Sequence, residues 1–429
     1  MKKILLPLFL LCPLFLSAND TSGTVLPTGN IQFNKQDGIK MSVEALRIRQ
    51  GEVEVNYLFE NTTDKDITTQ VFFPLPKQDF IRPYMDDYFH DHAFNFKLWV
   101  NGEEQKYEYK ISIYQQYNDG DTVYDNRDIT EHVWPVLKDK IKTPDSIITE
   151  GRLDDILSAL PETQIKALAE QKFITYDFFY EDSDDEQSKG KKWQSAGKWN
   201  KAVTFYWEQT FPAGKTVWVK HTYTPASFGN SVGAPNNDCM EYQSKNFEEY
   251  DKFITAQRKK YGMDGNEGYF YFGVDDYMEY ILTTANNWQG GIGSFNLMVE
   301  SAAGAVGCLN NEPFMIDKAF FARNLKNFSP QGNIGVEYIY GQNATGEIIP
   351  GAVDVPRKLP DGSYQLYRVG GPANVRAKPV NGKVTGKLAD KTYAWAKETT
   401  GTEGWYFVVQ NNVSGYTFKD NLITVFEQK

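Results

Sequence analysis

Between Val53 and Glu60 the chain alternates: Val53, Val55, Tyr57 and Phe59 fall on one side, Glu54, Asn56, Leu58 and Glu60 on the other. A period of two belongs to a strand, in which successive side chains point to opposite faces of a sheet. The pattern returns in Phe94, Phe96, Leu98 and Val100, in Val203, Phe205 and Trp207, in Val217, Val219, His221 and Tyr223, and in Phe295, Leu297 and Val299. Apolar residues placed in this rhythm leave little material for helices. The chain is therefore expected to be mainly β, with a large β-sandwich-like domain that carries helical insertions. An aromatic fraction of 15% agrees, because Tyr, Phe and Trp pack well on a half-buried pleated surface.

Turn residues divide the strands. Pro74 and Pro76 close the strand at 71–73. Asn101-Gly102 is a strong hairpin signal, since both positions of such a turn need positive φ. Pro212-Ala213-Gly214-Lys215 reads as the turn of a second hairpin, between 203–211 and 217–223. Leu153, Ile156, Leu157 and Leu160 have helical spacing, and Pro161 suits the start of a further helix through Ile165, Leu168, Ala169 and Phe173. Another helix is expected over 245–261. Residues 181–201 run from Asp and Glu to Lys, with Gly and Ser between, and read as a solvated loop. Gly and Pro mark 341–361 as a linker. Short, closely spaced strands then fill 362–429, a natural length for a small C-terminal barrel.

The first eighteen residues are an address. Lys2 and Lys3 precede an apolar run from Ile4 to Leu16, and Ser17-Ala18 offers small residues for cleavage before Asn19. The run is shorter than the roughly 18–20 apolar residues that span a bilayer, and no later segment is long and apolar enough. A signal peptide at 1–18 implies export. Without it, Cys239 and Cys308 remain, an even pair that suggests one disulfide in an oxidising compartment; the alternative is two buried thiols. With 45 basic and 56 acidic residues the net charge is −11, which argues against nucleic acid and against anionic lipid as partners.

Two resemblances follow. Asn374-Val375-Arg376-Ala377-Lys378-Pro379, Val384-Thr385-Gly386-Lys387-Leu388, Gly404-Trp405-Tyr406-Phe407-Val408 and Gly415-Tyr416 with Leu422 resemble the bacterial SH3-type domain, with Thr417 where an aliphatic residue is usual. The resemblance, over about 362–427, implies an SH3-like barrel with a ligand groove, for which Tyr367, Trp395, Tyr406 and Tyr416 are the candidates. Its ligands would be peptidoglycan or a protein segment. Asn19-Asp20, Phe72-Phe73-Pro74-Leu75-Pro76, Phe205 to Gly214, Tyr280 to Trp288, Gly291 to Phe295 and Cys308 resemble the domain-of-unknown-function 4424 family over about 19–340. That resemblance implies a β-rich periplasmic protein and supplies no reaction.

Chemistry is sparse. The histidines are His90, His92, His132 and His221. His90 and His92 would share a strand face, as a zinc site needs, but no motif assigns a third ligand, and a polar loop is the preferred reading. There is no Gly-x-Ser-x-Gly elbow and no Gly-x-x-x-x-Gly-Lys loop, and Asp119, Asp121 and Asp125 do not fit a twelve-residue calcium loop. No catalytic residue, metal ligand or cofactor is assigned. The expectation is a non-enzymatic envelope protein, periplasmic or secreted, that binds peptidoglycan or a periplasmic protein. The alternative is a hydrolase of cell-wall or surface polymer. In the large domain Tyr206 and Trp218 are candidates for an exposed aromatic surface, with cover by a second sheet or the helices as the preferred alternative.

Overall fold

The computed structural model describes residues 19–25, 31–49, 51–79, 94–121, 123–144, 150–178, 191–225, 228–230, 274–301, 305–310, 312–316, 320–338 and 364–426. Residues 1–18, His90, His92, Cys239, the helix expected over 245–261 and the linker 341–361 lie outside these.

The protein is mainly β, as the alternation requires. A first sheet runs in the order Val123–Asp128, Glu108–Asn118, Lys198–Phe211, Ile67–Pro74, Thr21–Val25, Ile31–Phe33. A second runs Phe320–Phe328, Ile292–Glu300, Ile39–Arg49, Glu52–Asn61, Thr216–Tyr223, Lys97–Val100, Glu103–Gln105. The two face each other across one core, with Phe59 against Phe211 at 5.6 Å and Phe96 stacked on Phe205 at 4.0 Å. A third sheet, Phe228–Asn230, Val274–Tyr280, Ile334–Tyr338, Ala305–Leu309, Glu312–Ile316, adds Tyr280, Phe314 and Val336 to the same core.

Two sequence expectations change. The strands on either side of Pro212–Lys215 are not a hairpin. Lys198–Phe211 pairs with Ile67–Pro74 and Glu108–Asn118, while Thr216–Tyr223 pairs with Glu52–Asn61 and Lys97–Val100. The turn carries the chain from one sheet to the other. Second, the segment expected as a loop to residue 201 is strand over Lys191–Ser195 and from Lys198 onward. Trp199, buried at 2% exposure, holds it against the core. Within the second sheet Ile292–Glu300 lies parallel to Ile39–Arg49.

The helices Glu150–Ser158 and Glu162–Glu170 fall where their spacing put them. A further helix, Thr130–Leu137, contains Pro135, which hid it; Val133 and Leu137 fix its buried face. At Asn101-Gly102 both residues have positive φ, 50° and 87°, and join Lys97–Val100 to Glu103–Gln105 as a hairpin.

Residues 364–426 form a separate seven-stranded antiparallel sheet, Val384–Leu388, Ala373–Arg376, Val413–Phe418, Trp405–Gln410, Tyr393–Glu398, Gln365–Val369, Leu422–Thr424. It curls as a half-barrel over its own small core of Val369, Val375, Leu388 and Val408. Its other face rests on the second sheet: Leu366, Trp395 and Val409 pack with Val43, Ala45, Met298 and Ala322. The Arg47 guanidinium donates to the Tyr364 carbonyl at 3.1 Å and pairs with Glu300 at 3.1 Å. The Asn324 backbone N–H donates to Asn411 Oδ1 at 2.8 Å. Strand Ile39–Arg49 is consequently covered on both faces, by the sandwich core and by this sheet.

Candidate functional site

A group of buried polar side chains lies between the large sheets, around Asp20. Asn19, Asp20 and Thr21 are fully buried at the entry to strand Thr21–Val25. Asp20 Oδ1 lies 2.8 Å from His221 Nε2, and both side chains are sealed from solvent. His221 reaches this position because it shares a strand face with Val217, Val219 and Tyr223, all turned to the core. Rings surround it: Phe73 at 4.8 Å, Phe96 at 5.2 Å, Trp207 at 5.2 Å and Tyr57 at 5.7 Å.

Glu44 closes the other side. Its Oε2 accepts from Asn19 Nδ2 at 2.9 Å and its Oε1 from the Tyr280 hydroxyl at 3.1 Å, which lies 2.9 Å from the Tyr57 hydroxyl. Simple alternation with Ile39, Met41 and Val43 would send Glu44 outward. A register shift between Met41 and Val43 reverses the parity, so that Met41 faces Phe59 but Glu44 faces Tyr57. The backbone is held too. Thr284 Oγ1 donates to the Asn19 carbonyl at 2.9 Å, Trp288 Nε1 to the Asp20 carbonyl at 2.6 Å, and Asn287 Nδ2 to Thr21 Oγ1 at 2.9 Å.

Burial governs the electrostatics. It pushes Glu44 up to about 8, against the hydrogen bonds from Asn19 and Tyr280. It raises Asp20 as well, against the pull of His221. The same burial drives Tyr57 and Tyr280 well above the usual phenol range, helped at Tyr57 by Asp20 and Glu44 and at Tyr280 by Tyr57 and Glu44. The His–Asp pair has the spacing of an acid–base dyad, but aromatic walls keep water and substrate from it. What the arrangement does is clamp the N-terminal segment to three parts of the fold.

The sequence candidates lie elsewhere. The four residues offered as a groove divide between two faces of the C-terminal sheet. Opposite partners share a face, so Leu366, Trp395, Val409, Phe407 and Tyr416 lie on one, and Tyr367, Ala394, Val408 and Tyr406 on the other. Trp395, 3% exposed, is turned to the large domain. Tyr367 and Tyr406 meet edge to face at 5.7 Å, half-buried at the rim of the small core. In the large domain Tyr206 stacks on Phe72 and donates to Glu108 at 2.6 Å, and Trp218 donates to Asn56 and lies 5.7 Å from Phe426. Both are part-covered, Trp218 by the end of the C-terminal segment. Cys308 is buried, and its expected bond to Cys239 falls outside the described residues. A cleft of about 190 Å³ is lined by Phe94, Phe96, Tyr107, Tyr109, Pro144 and Phe205, where strands Glu108–Asn118 and Lys198–Phe211 meet the segment before Lys97–Val100.

Sequence reading did not single out Glu44, Asp20, His221, Tyr57, Tyr280 or Trp288 as a cluster. The available signals were Asn19-Asp20 and Trp288 within the quoted resemblance and a histidine in an otherwise apolar row. Among the described residues no three His, Cys, Asp or Glu side chains gather as metal ligands, and no helix is long and apolar enough to cross a membrane.

Fold and cluster together define a mainly β, multi-sheet protein whose buried polar residues face one another and anchor the start of its first strand. The chain belongs to the DUF4424 family, a domain of unknown function, which it matches over residues 18–336. No curated protein matches it. Among solved structures it is similar to the crystal structure of a Legionella pneumophila protein provisionally described as nutrient binding, at 12% identity and a TM-score of 0.32, with 75% of this chain and 70% of that chain covered. A likeness of that size carries no weight for function.

Proposed function

We propose that this is an exported, non-enzymatic bacterial envelope protein that binds peptidoglycan or a periplasmic protein through its C-terminal sheet, an SH3-like barrel of the bacterial type. The large domain at 19–340 is its base, stapled by a Cys239–Cys308 disulfide, and 341–361 links the two. The observation that carries the reading is where apolar surface stays open. Of seven large hydrophobic residues exposed among the described ones, four, Val380, Val384, Phe418 and Ile423, belong to residues 364–426. The half-buried Tyr367–Tyr406 pair adds stacking surface to the same small unit. The absence of turnover is supported by the sealing of Asp20 and His221, the pair best spaced for acid–base work.

Sedimentation with purified cell-wall sacculi tests it. The mature chain should pellet with the wall, and Ile423→Glu combined with Tyr406→Ser should leave most of it in solution. A wild-type chain that stays in solution would remove the wall as ligand and leave a protein partner. A cleared zone on a peptidoglycan gel, lost on changing one carboxylate, would establish the hydrolase instead.

A further inference from the structure

We infer that removal of residues 1–18 creates, at Asn19, a buried α-ammonium that pairs with Glu44, so that leader removal completes the core of the large domain. The inference rests on the reading of 1–18 as a cleaved signal. Hydrolysis of the Ala18–Asn19 bond leaves the water oxygen on the Ala18 carboxylate and the protons on the Asn19 nitrogen. Export separates this event from folding, so the bond is cut before Asn19 is buried.

Geometry fixes the position. Asn19 is fully buried, and its own side-chain amide is 2.9 Å from Glu44 Oε2. The α-nitrogen is only a few bonds from that amide, within Asn19 itself, and so is held in the neighbourhood of the carboxylate. It cannot swing away, because Thr284 and Trp288 hold the carbonyls of Asn19 and Asp20.

Charge and hydrogen bonding both ask for a donor cation here. Two carboxylates, Asp20 and Glu44, share the site with one basic side chain, His221, and the other titratable groups facing them, Tyr57, Tyr280 and Tyr223, bring no positive charge. Among the described residues no Lys or Arg pairs with either carboxylate. Asn19 Oδ1 and Asp20 Oδ2 are buried acceptors with no donor. Such vacancies are costly in a low-dielectric interior. A peptide nitrogen supplies one N–H, whereas an ammonium supplies three and a positive charge.

The experiment compares two chains released from a cleavable N-terminal fusion, one beginning at Asn19 and one with a single Ala ahead of it. The extra residue turns the amine into a peptide and moves the charge about 3.8 Å along the chain. The extended chain should melt lower by roughly 5 °C or more. Glu44→Gln in both should remove most of that gap. Equal melting of the first pair, or a gap that survives Glu44→Gln, would overturn the inference. If Glu44→Gln does not fold, acylation kinetics decide: the native Asn19 amine should react at least tenfold more slowly than the extended one, and equal rates would overturn it. The mass of the exported protein separates the two layers. A start at Asn19 with equal melting sinks only the ammonium pair, whereas another first residue sinks the signal assignment and the pair with it.

Discussion

Glu44 shows what a single residue position demands of this fold. Its carboxyl is raised from the ordinary 4.5 to about 8 while Asn19 is in peptide linkage. The folded state then holds the proton more tightly than the unfolded chain. The stability this contributes is complete below about pH 4.5, where the unfolded chain is protonated too, and is lost progressively as the pH rises to about 8. In a chain extended beyond Asn19, denaturant titrations should show stability falling by roughly 4 kcal/mol between pH 5 and 8. Asp20, also raised, has the same sign, so Glu44→Gln should flatten most of the slope and not all of it. An unchanged slope in Glu44→Gln would show that this carboxyl is not the titrating group. None of this was legible in the sequence. Glu44 occupies what simple alternation makes an outward position, and the shift at Met41–Val43 that turns it inward has no local signature. His221 was visible in its apolar row, but its partner Asp20 is 201 residues away.

At the scale of elements, alternation located the strands and could not assign them to sheets. Phe211-Pro212-Ala213-Gly214-Lys215 does reverse the chain, with the Lys215 N–H donating to the Pro212 carbonyl at 3.1 Å. Whether the two strands then pair depends on groups far away in sequence. Asn61 is one of them: its amide donates to the Phe211 carbonyl at 2.8 Å and to the Lys65 carbonyl at 2.7 Å, while Asp66 Oδ1 accepts from the Ala213 N–H at 2.8 Å. These bonds pin the corner where the chain crosses between the sheets. Asn61→Ala should take a side-chain donor from the Phe211 carbonyl and one of two from the Lys65 carbonyl, which keeps Thr63 Oγ1 at 3.0 Å, and cost about 1–2 kcal/mol, read as a lower urea midpoint with unchanged slope. A loss under about 0.5 kcal/mol would mean that the corner holds without Asn61. The helices were easier to read, because their spacing is local; Thr130–Leu137 escaped only through Pro135.

The whole molecule is a large multi-sheet body with a small sheet docked on its outer face. Trp395 belongs to that contact and not to the small sheet's own core. Truncating a buried Trp costs about 3–5 kcal/mol. Trp395→Ala should therefore split calorimetric unfolding into two transitions where the wild type shows one, and a single transition in the variant would contradict the docking. The composition and repeat of short strands indicated a separate C-terminal unit, but not that one of its faces would be closed by the second sheet, since Val43, Ala45 and Met298 look like ordinary strand residues. The most direct test of the binding account is hydrogen exchange of the mature chain with and without soluble peptidoglycan fragments, whose mass is followed in the same sample. The expected result is slowed exchange confined to residues 364–426, no change around Asp20, His221 and Trp288, and fragments recovered intact. Slowed exchange confined to the large domain, or fragments shortened by the protein, would contradict it.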